Sequence, residues 1–140
     1  MRTLLFVATI LASVFTLNFC NNTKHLTSQT EALFRNKWAL MEVQGQLVPD
    51  SLRYGFEFSP GNLSGSTGCN RLSAGFVAGK NQTVRFTPET PAKKDCANEN
   101  AANLETMFLD ALAKSTHWSL KGGELWLDDG ATTLIKLRSL

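Results

Sequence analysis

The feature that most constrains the fold is a series of short segments in which apolar and polar residues alternate. The series runs from residue 37 to the end of the chain, and turn signals interrupt it about every eight to twelve residues. In RYGFEFSP, for example, Tyr54, Phe56 and Phe58 share one face, because successive side chains of a strand point to opposite sides. Gly122-Gly123 and Asp129-Gly130 are two-residue hairpin signals, since tight hairpin turns need positive φ. The pattern predicts seven or eight short antiparallel strands.

One segment follows a different period and predicts a helix over about residues 100–114. Its apolar residues recur at helical spacing and form a single stripe, made of Leu104, Met107, Phe108, Ala111 and Leu112. Asn98 or Asn100 is suited to cap the start, because a short polar side chain there accepts from a backbone amide that lacks a helical partner. We therefore expect a mostly β (α+β) fold, a barrel-like antiparallel sheet with one amphipathic helix packed against it.

The size and charge of the chain limit its function classes. Its 140 residues suffice for one domain with one core. The balance of 14 basic against 12 acidic residues gives a net charge of +2, and the chain has no run of basic residues, so nothing favours nucleic acid as a partner. We find no internal repeat and no low-complexity tract.

The first nineteen residues are typical of a secretory signal. Arg2 is followed by seventeen uncharged, mainly apolar residues and then by a polar segment. The run is slightly short for a membrane-spanning anchor, which needs about 20 residues and is the alternative interpretation. The context LNFC resembles a bacterial lipoprotein signal in which Cys20 carries lipid, although Phe19 stands where a small residue is usual. This predicts a signal peptide at 1–19, a polar flexible tether at 20–36, in which EALF adds a helical turn, and a domain at 37–140.

The three cysteines then have a common explanation. If Cys20 is lipidated, Cys69 and Cys96 remain as a pair in an oxidising compartment, where a disulfide can form and persist. Closing that loop would stabilise the fold by roughly 3 to 4 kcal/mol in the chain-entropy model. Two buried, unpaired thiols are the alternative. A nucleophilic Cys69 would need an activating base, and His117 is the candidate for that role. A metal site would need ligands at closer spacing along the chain than these cysteines have. We expect no catalytic residue, metal or cofactor.

An ordered set of motifs resembles the META domain proteins, also called HslJ-like. The set runs from about residue 36 to 138 and consists of Trp38-Ala39-Leu40, Phe56-Glu57-Phe58, the run GSTGCNR at 65–71, Phe86-Thr87-Pro88, Cys96, Glu105 with Phe108 and Leu112, and Leu125-Trp126-Leu127. The resemblance implies a small barrel-like domain with a helix, often carried by envelope lipoproteins. Some relatives are linked to heat induction or antibiotic tolerance, and the resemblance implies no established catalytic activity.

These observations predict a non-enzymatic, exported envelope lipoprotein, monomeric and membrane-anchored on the periplasmic side or the outer surface. It would contribute to envelope stress or antibiotic tolerance through contacts with a protein or small ligand. Trp126 and Arg71 are the candidate interaction surface, because Leu125 and Leu127 should face the core and turn Trp126 outward. The alternative, which we favour, is that Trp126 covers the outside of the barrel beneath the tether or helix. The alternative functions are a small-molecule carrier barrel and a thiol redox protein using Cys69 and Cys96.

Overall fold

The computed structural model describes residues 20–52, 54–67, 70–89, 96 and 98–140, with side chains from residue 28 onward. The chain divides into two compact units, residues 1–32 and residues 33–140. The predicted signal peptide and Cys69 lie outside the described residues. Within the described part of the chain, no helix is both long and apolar enough to cross a membrane.

The second unit is built on antiparallel strands. In chain order they are β1 (Lys37–Val43), β2 (Gln46–Leu47), β3 (Gly55–Ser59), β4 (Asn62–Ser66), β5 (Arg71–Ala78), β6 (Val84–Glu89), β7 (His117–Lys121), β8 (Glu124–Asp128) and β9 (Thr133–Ser139). Eight of them pair in the order β6-β5-β4-β3-β1-β9-β8-β7, and β2 pairs with β1 alone among the described strands. An isolated bridge between Thr83 and His117 joins the two ends of this order. The predicted barrel-like sheet is confirmed, and it is nearly closed.

The described residues also form two α-helices, α1 (Cys20–Arg35) and α2 (Glu99–Lys114). Helix α2 confirms the predicted amphipathic helix, and Asn98 caps it by accepting from the backbone N–H groups of Asn100 and Ala101. Helix α1 corrects the prediction of a flexible tether over residues 20–36. The physical reason is that this segment contains neither glycine nor proline, the residues that most disfavour a helix interior.

The core lies between the inner face of the sheet and α2. The α2 residues that it buries are Ala101, Leu104, Phe108, Ala111 and Leu112, whereas Met107 of the predicted stripe is half-buried. The rings of Phe56 and Phe108 stack with their centroids 4.7 Å apart. At the start of β1, Trp38 Nε1 donates to the carbonyl of Leu33 over 3.0 Å, which fixes the end of α1 against the core.

One hairpin differs from its sequence prediction. Gly122-Gly123 forms the expected two-residue turn, with Lys121 paired with Glu124. Around Asp129-Gly130, however, Asp128 pairs with Thr133, so the loop holds four residues instead of two. The side chain of Asp129 accepts from the backbone N–H groups of Ala131 and Thr132, and these bonds stabilise the longer loop.

Candidate functional site

A buried polar cluster joins the loop after β4 to helix α2. Thr67 and Asn70 are only 1% and 5% exposed, although both carry polar side chains. The loop closes on itself through a bond from Thr67 N–H to the carbonyl of Asn70, 3.0 Å long. The backbone N–H of Asn70 also lies 3.4 Å from Thr67 Oγ1 and donates to it. The loop therefore presents two side chains in a defined orientation to the helix.

Glu105 of α2 receives both of these side chains. Asn70 Nδ2 lies 2.9 Å from Oε1 and 3.1 Å from Oε2 of the carboxylate. The hydroxyl of Thr67 donates to Oε2. Bonds to an ionised acceptor are stronger than bonds between neutral groups, so the carboxylate fastens the loop to the helix.

Tyr54, just before β3, belongs to the same neighbourhood. Its hydroxyl is buried and has no hydrogen-bond partner among the described residues. Burial, and to a smaller extent the negative charge of Glu105, raise the pKa of Tyr54 above its ordinary value of 10.0. The phenol is consequently protonated at neutral pH.

Cys96 lies at the edge of the cluster, where its Sγ is 3.9 Å from Asn70 Nδ2. Asn70 directly follows Cys69 in the chain, so Cys96 contacts the side chain of the residue next to its predicted partner. Because Cys69 is outside the described residues, the Cys69–Cys96 pairing stays a prediction.

Gly65 of β4 has a packing role. It faces the interior between Phe56 and Leu72, with which it pairs across the sheet. A Cβ atom at this position would overlap both the carbonyl oxygen of Gly55 and the ring of Phe56. The missing side chain therefore makes room for the ring of Phe56, which stacks on Phe108 of α2. The run at 65–71 thus supports α2 at two points, Gly65 through packing and Asn70 through Glu105.

The interior of the barrel is filled by side chains. Phe58, Phe76 and Phe86 contact one another there, with ring centroids between 5.5 and 6.4 Å apart. The void that they line together with Trp118 and Leu125 has a volume of about 10 Å³. That is about the space of one water molecule.

A scan against protein-family models matches the META domain over residues 31–139. The chain belongs to the META domain family. A search of curated proteins finds no match.

Three solved structures share the fold. A protein solved by NMR is 23% identical, with a TM-score of 0.61 over 77% of this chain and 92% of its own. An NMR structure from Burkholderia xenovorans is 21% identical, with a TM-score of 0.58 over 81% and 87%. A crystal structure of a DUF4847 family protein from Bacteroides vulgatus is 16% identical, with a TM-score of 0.57 over 77% and 94%. The narrower HslJ-like assignment stays a prediction.

Trp126 is placed on the outside of the META domain, as predicted, since Leu125 and Leu127 on either side of it are buried. Its ring is not bare. Lys121 Nζ and Lys136 Nζ lie 4.1 and 5.0 Å from the ring centroid, within the range of cation–π contacts. The indole N–H of Trp126 donates to Glu124 over 2.9 Å. These contacts favour the interpretation that Trp126 covers the outside of the barrel.

Arg71, the second predicted surface residue, is exposed at the start of β5. Around the barrel, β5 and β8 are separated by two strands in one direction and by four in the other. The structure therefore does not combine Arg71 and Trp126 into one continuous patch.

The sequence interpretation missed the roles of Tyr54, Thr67 and Asn70 as members of a cluster around Glu105. One signal was available, because Glu105 is flanked by the buried Ala101 and Phe108, one turn away on either side. A charged residue beside the apolar stripe of a helix needs a polar partner in the core. Asp110, by contrast, forms an exposed pair with Lys114 at 2.8 Å. In the described part of the META domain, no three acidic, histidine or cysteine side chains are grouped to hold a metal ion.

Proposed function

We propose that this META domain protein is an exported envelope lipoprotein that acts by binding another molecule at its outer surface. In this proposal a lipid on Cys20 holds the chain to a membrane, and the domain of residues 37–140 provides the binding surface. The protein contributes to tolerance of envelope stress or antibiotics, and it does so without catalysis. The signal-like first nineteen residues and the LNFC context support the anchor.

The observation that carries the proposal is the filled barrel. A barrel that carries a small molecule needs an interior cavity for it, and binding pockets usually measure about 300 to 1,000 Å³. The inward positions are occupied by large side chains, among them Phe56, Phe58 and Phe86, and the void beside the latter two is about 10 Å³. This favours recognition on the outside over the carrier alternative.

The polar cluster supports the same view. Its hydroxyl, amide and carboxylate groups bond to one another, and the hydroxyl-bearing Thr67 is buried. A nucleophile must be reachable by its substrate, so these bonds are better explained by their effect on stability than by chemistry on a ligand.

The thiol redox alternative makes a different prediction. If Cys69 or Cys96 reacted with a substrate, Cys96→Ser would abolish activity while the domain stayed folded. A structural disulfide predicts lost stability, with tolerance retained at temperatures where the variant is still folded.

The anchor is tested by the intact mass and thiol content of protein extracted from its native envelope. We expect a mass that lacks residues 1–19 and includes acyl chains, with thiols titrating only after reduction. Cys20→Ser should remove the acyl mass and release the protein from the membrane fraction. Cys96→Ser is the matched control, and it should keep the acyl mass. An unlipidated wild-type chain would refute the anchor.

The biological role is tested by survival under envelope stress and antibiotic exposure. Deletion should lower survival, the wild-type chain should restore it, and Cys20→Ser should restore it less well at equal abundance. Unchanged survival after deletion of an abundantly expressed protein would refute the role.

A further inference from the structure

A groove on the outside of the META domain separates the segment 46–52 from the N-terminal half of α2. Its volume is about 800 Å³, within the range of pockets that hold ligands. Gln46 and Leu47 lie on one wall, and Asn100, Asn103 and Met107 lie on the other. A hydrogen bond links the two walls at one end: the side chain of Gln44, in the turn before β2, donates to Asp110 of α2 over 2.9 Å.

The first wall presents an open backbone edge. Gln44 and Gly45 have φ values of 47° and 81° and form the tight turn between β1 and β2, in which Val43 pairs with Gln46 and Glu42 with Leu47. The next bond, from Val48 N–H to the carbonyl of Met41, is 2.9 Å long.

Hydrogen-bonded and non-hydrogen-bonded pairs alternate along an antiparallel ladder. Because Val43–Gln46 closes the turn and Val48 bonds to Met41, the intervening Leu47 is a non-hydrogen-bonded position. Its N–H and C=O therefore point away from β1. No other described strand pairs with β2, and Leu47 is 73% exposed. An extended chain can add to such an edge by main-chain hydrogen bonds.

The groove is lined by side chains without charge. The carboxamides of Gln46, Asn100 and Asn103 have no hydrogen-bond partner among the described residues, so they can donate to carbonyls and accept from amides. Leu47, Leu52 and Met107 add apolar contact area. The lining itself supplies no counter-ion for a charged ligand group, which favours an uncharged ligand.

We infer that the groove binds an extended, uncharged polypeptide segment of a partner protein as a strand added beside Leu47. Main-chain groups of that segment pair with the N–H and C=O of Leu47 and with the carboxamides on α2. Since strand side chains alternate, every second residue of the segment contacts the apolar part of the groove. This inference rests on the proposed function only in taking the ligand to be a protein.

The test selects peptides from a phage-displayed library of random dodecapeptides on the full chain, purified from membranes in detergent micelles. We expect enriched peptides without charged residues in their central half and with apolar residues at alternate positions. Chemical-shift changes on binding of one synthesised peptide should be confined to residues 44–52 and 98–107. A failure to enrich peptides, a charged consensus, or shift changes elsewhere would overturn the inference.

Two variants test the contacts. Leu47→Pro removes the outward N–H, which β1 does not use, together with the leucine side chain, and it should weaken the peptide about tenfold or more. Asn103→Asp adds an unpaired charge to the other wall and should weaken it similarly, even if the proline variant folds poorly. Asn81→Asp, an exposed change far from the groove in sequence, is the matched control and should bind like wild type.

Equal affinity of wild type and Asn103→Asp would overturn the inference. Binding by purified protein does not depend on lipid attachment, which the mass of the Cys20 variant reports separately. Failure of the groove and failure of the anchor are therefore distinguishable.

Discussion

Asn70 donates its side-chain amide to both oxygens of Glu105, over 2.9 and 3.1 Å, across 35 residues of chain. The contact joins the loop after β4 to helix α2. The hydroxyl of Thr67, in the same loop, also donates to Glu105. Both loop residues are buried, so water cannot replace a lost partner. The contact explains how the Gly-rich run at 65–71 supports the fold.

Asn70→Asp should strongly destabilise the domain at neutral pH. The substitution preserves shape but removes the donor and sets a second carboxylate against that of Glu105. Losing a bond to a charged group costs about 1.5 to 3 kcal/mol, and repulsion adds to it. Denaturant unfolding measures the loss, with Asn81→Asp as an exposed control.

The same variant should depend on pH in a defined direction. Two carboxyls in contact raise the proton affinity of the folded variant above that of its unfolded chain, so its stability relative to wild type recovers as pH falls. A loss below 0.5 kcal/mol, or one that does not shrink on mild acidification, would contradict the assignment.

Gly65→Ala should destabilise the domain by about 1 to 3 kcal/mol, the usual cost of overpacking a core. The added methyl would overlap the carbonyl oxygen of Gly55 and displace Phe56 from Phe108. Gly55→Ala is the matched control in the neighbouring strand, since a Cβ there meets no atom within 4 Å. Thermal unfolding of both variants measures their loss of stability relative to the wild type. Equal stability would show that glycine at 65 is not required for packing.

Tyr54 should ionise above its ordinary pKa of 10.0, because burial and the charge of Glu105 oppose the phenolate. It is the only tyrosine in the chain, so the absorbance of tyrosinate during an alkaline titration reports this group alone. Since the folded pKa lies above the unfolded value, the contribution of Tyr54 to stability is present below about pH 10 and is lost as pH rises towards the folded value.

Tyr54→Phe should remove this alkaline loss. At neutral pH it should leave stability unchanged or slightly raised, because the hydroxyl that it deletes is buried without a partner among the described residues. A large loss of stability in Tyr54→Phe would mean that the hydroxyl is bonded, for instance to a buried water.

Cys69→Ser and Cys96→Ser should each cost roughly 3 to 4 kcal/mol if the two cysteines form a disulfide. The double variant should then be no less stable than either single variant, and reductant should destabilise only the wild type. Denaturant unfolding with and without reductant distinguishes this from two buried thiols, for which the two losses add and reductant has no effect.

Much of the fold was predictable from local patterns. Alternation of apolar and polar residues identified the strands, and the spacing of Leu104, Phe108 and Leu112 identified the inner face of α2. The orientation of Trp126 followed from the burial of its two neighbours. These features depend on residues within a few positions of one another, which is why they are readable without a structure.

Other features depended on how distant segments meet. The partners of Glu105 lie 35 and 38 residues away in the chain, and sheet register together with the docking of α2 brings them within bonding distance. The groove arises in the same way, from a two-residue strand and a helix far from it in sequence. Helix α1 and the four-residue loop at Asp129 are local exceptions: helical backbone bonds formed instead of the expected tether, and bonds to the Asp129 side chain favoured a longer loop than the expected turn. The sequence by itself determined which residues are inside, because hydrophobicity is a property of each side chain; only the tertiary structure decided which polar groups meet, because that depends on register and docking.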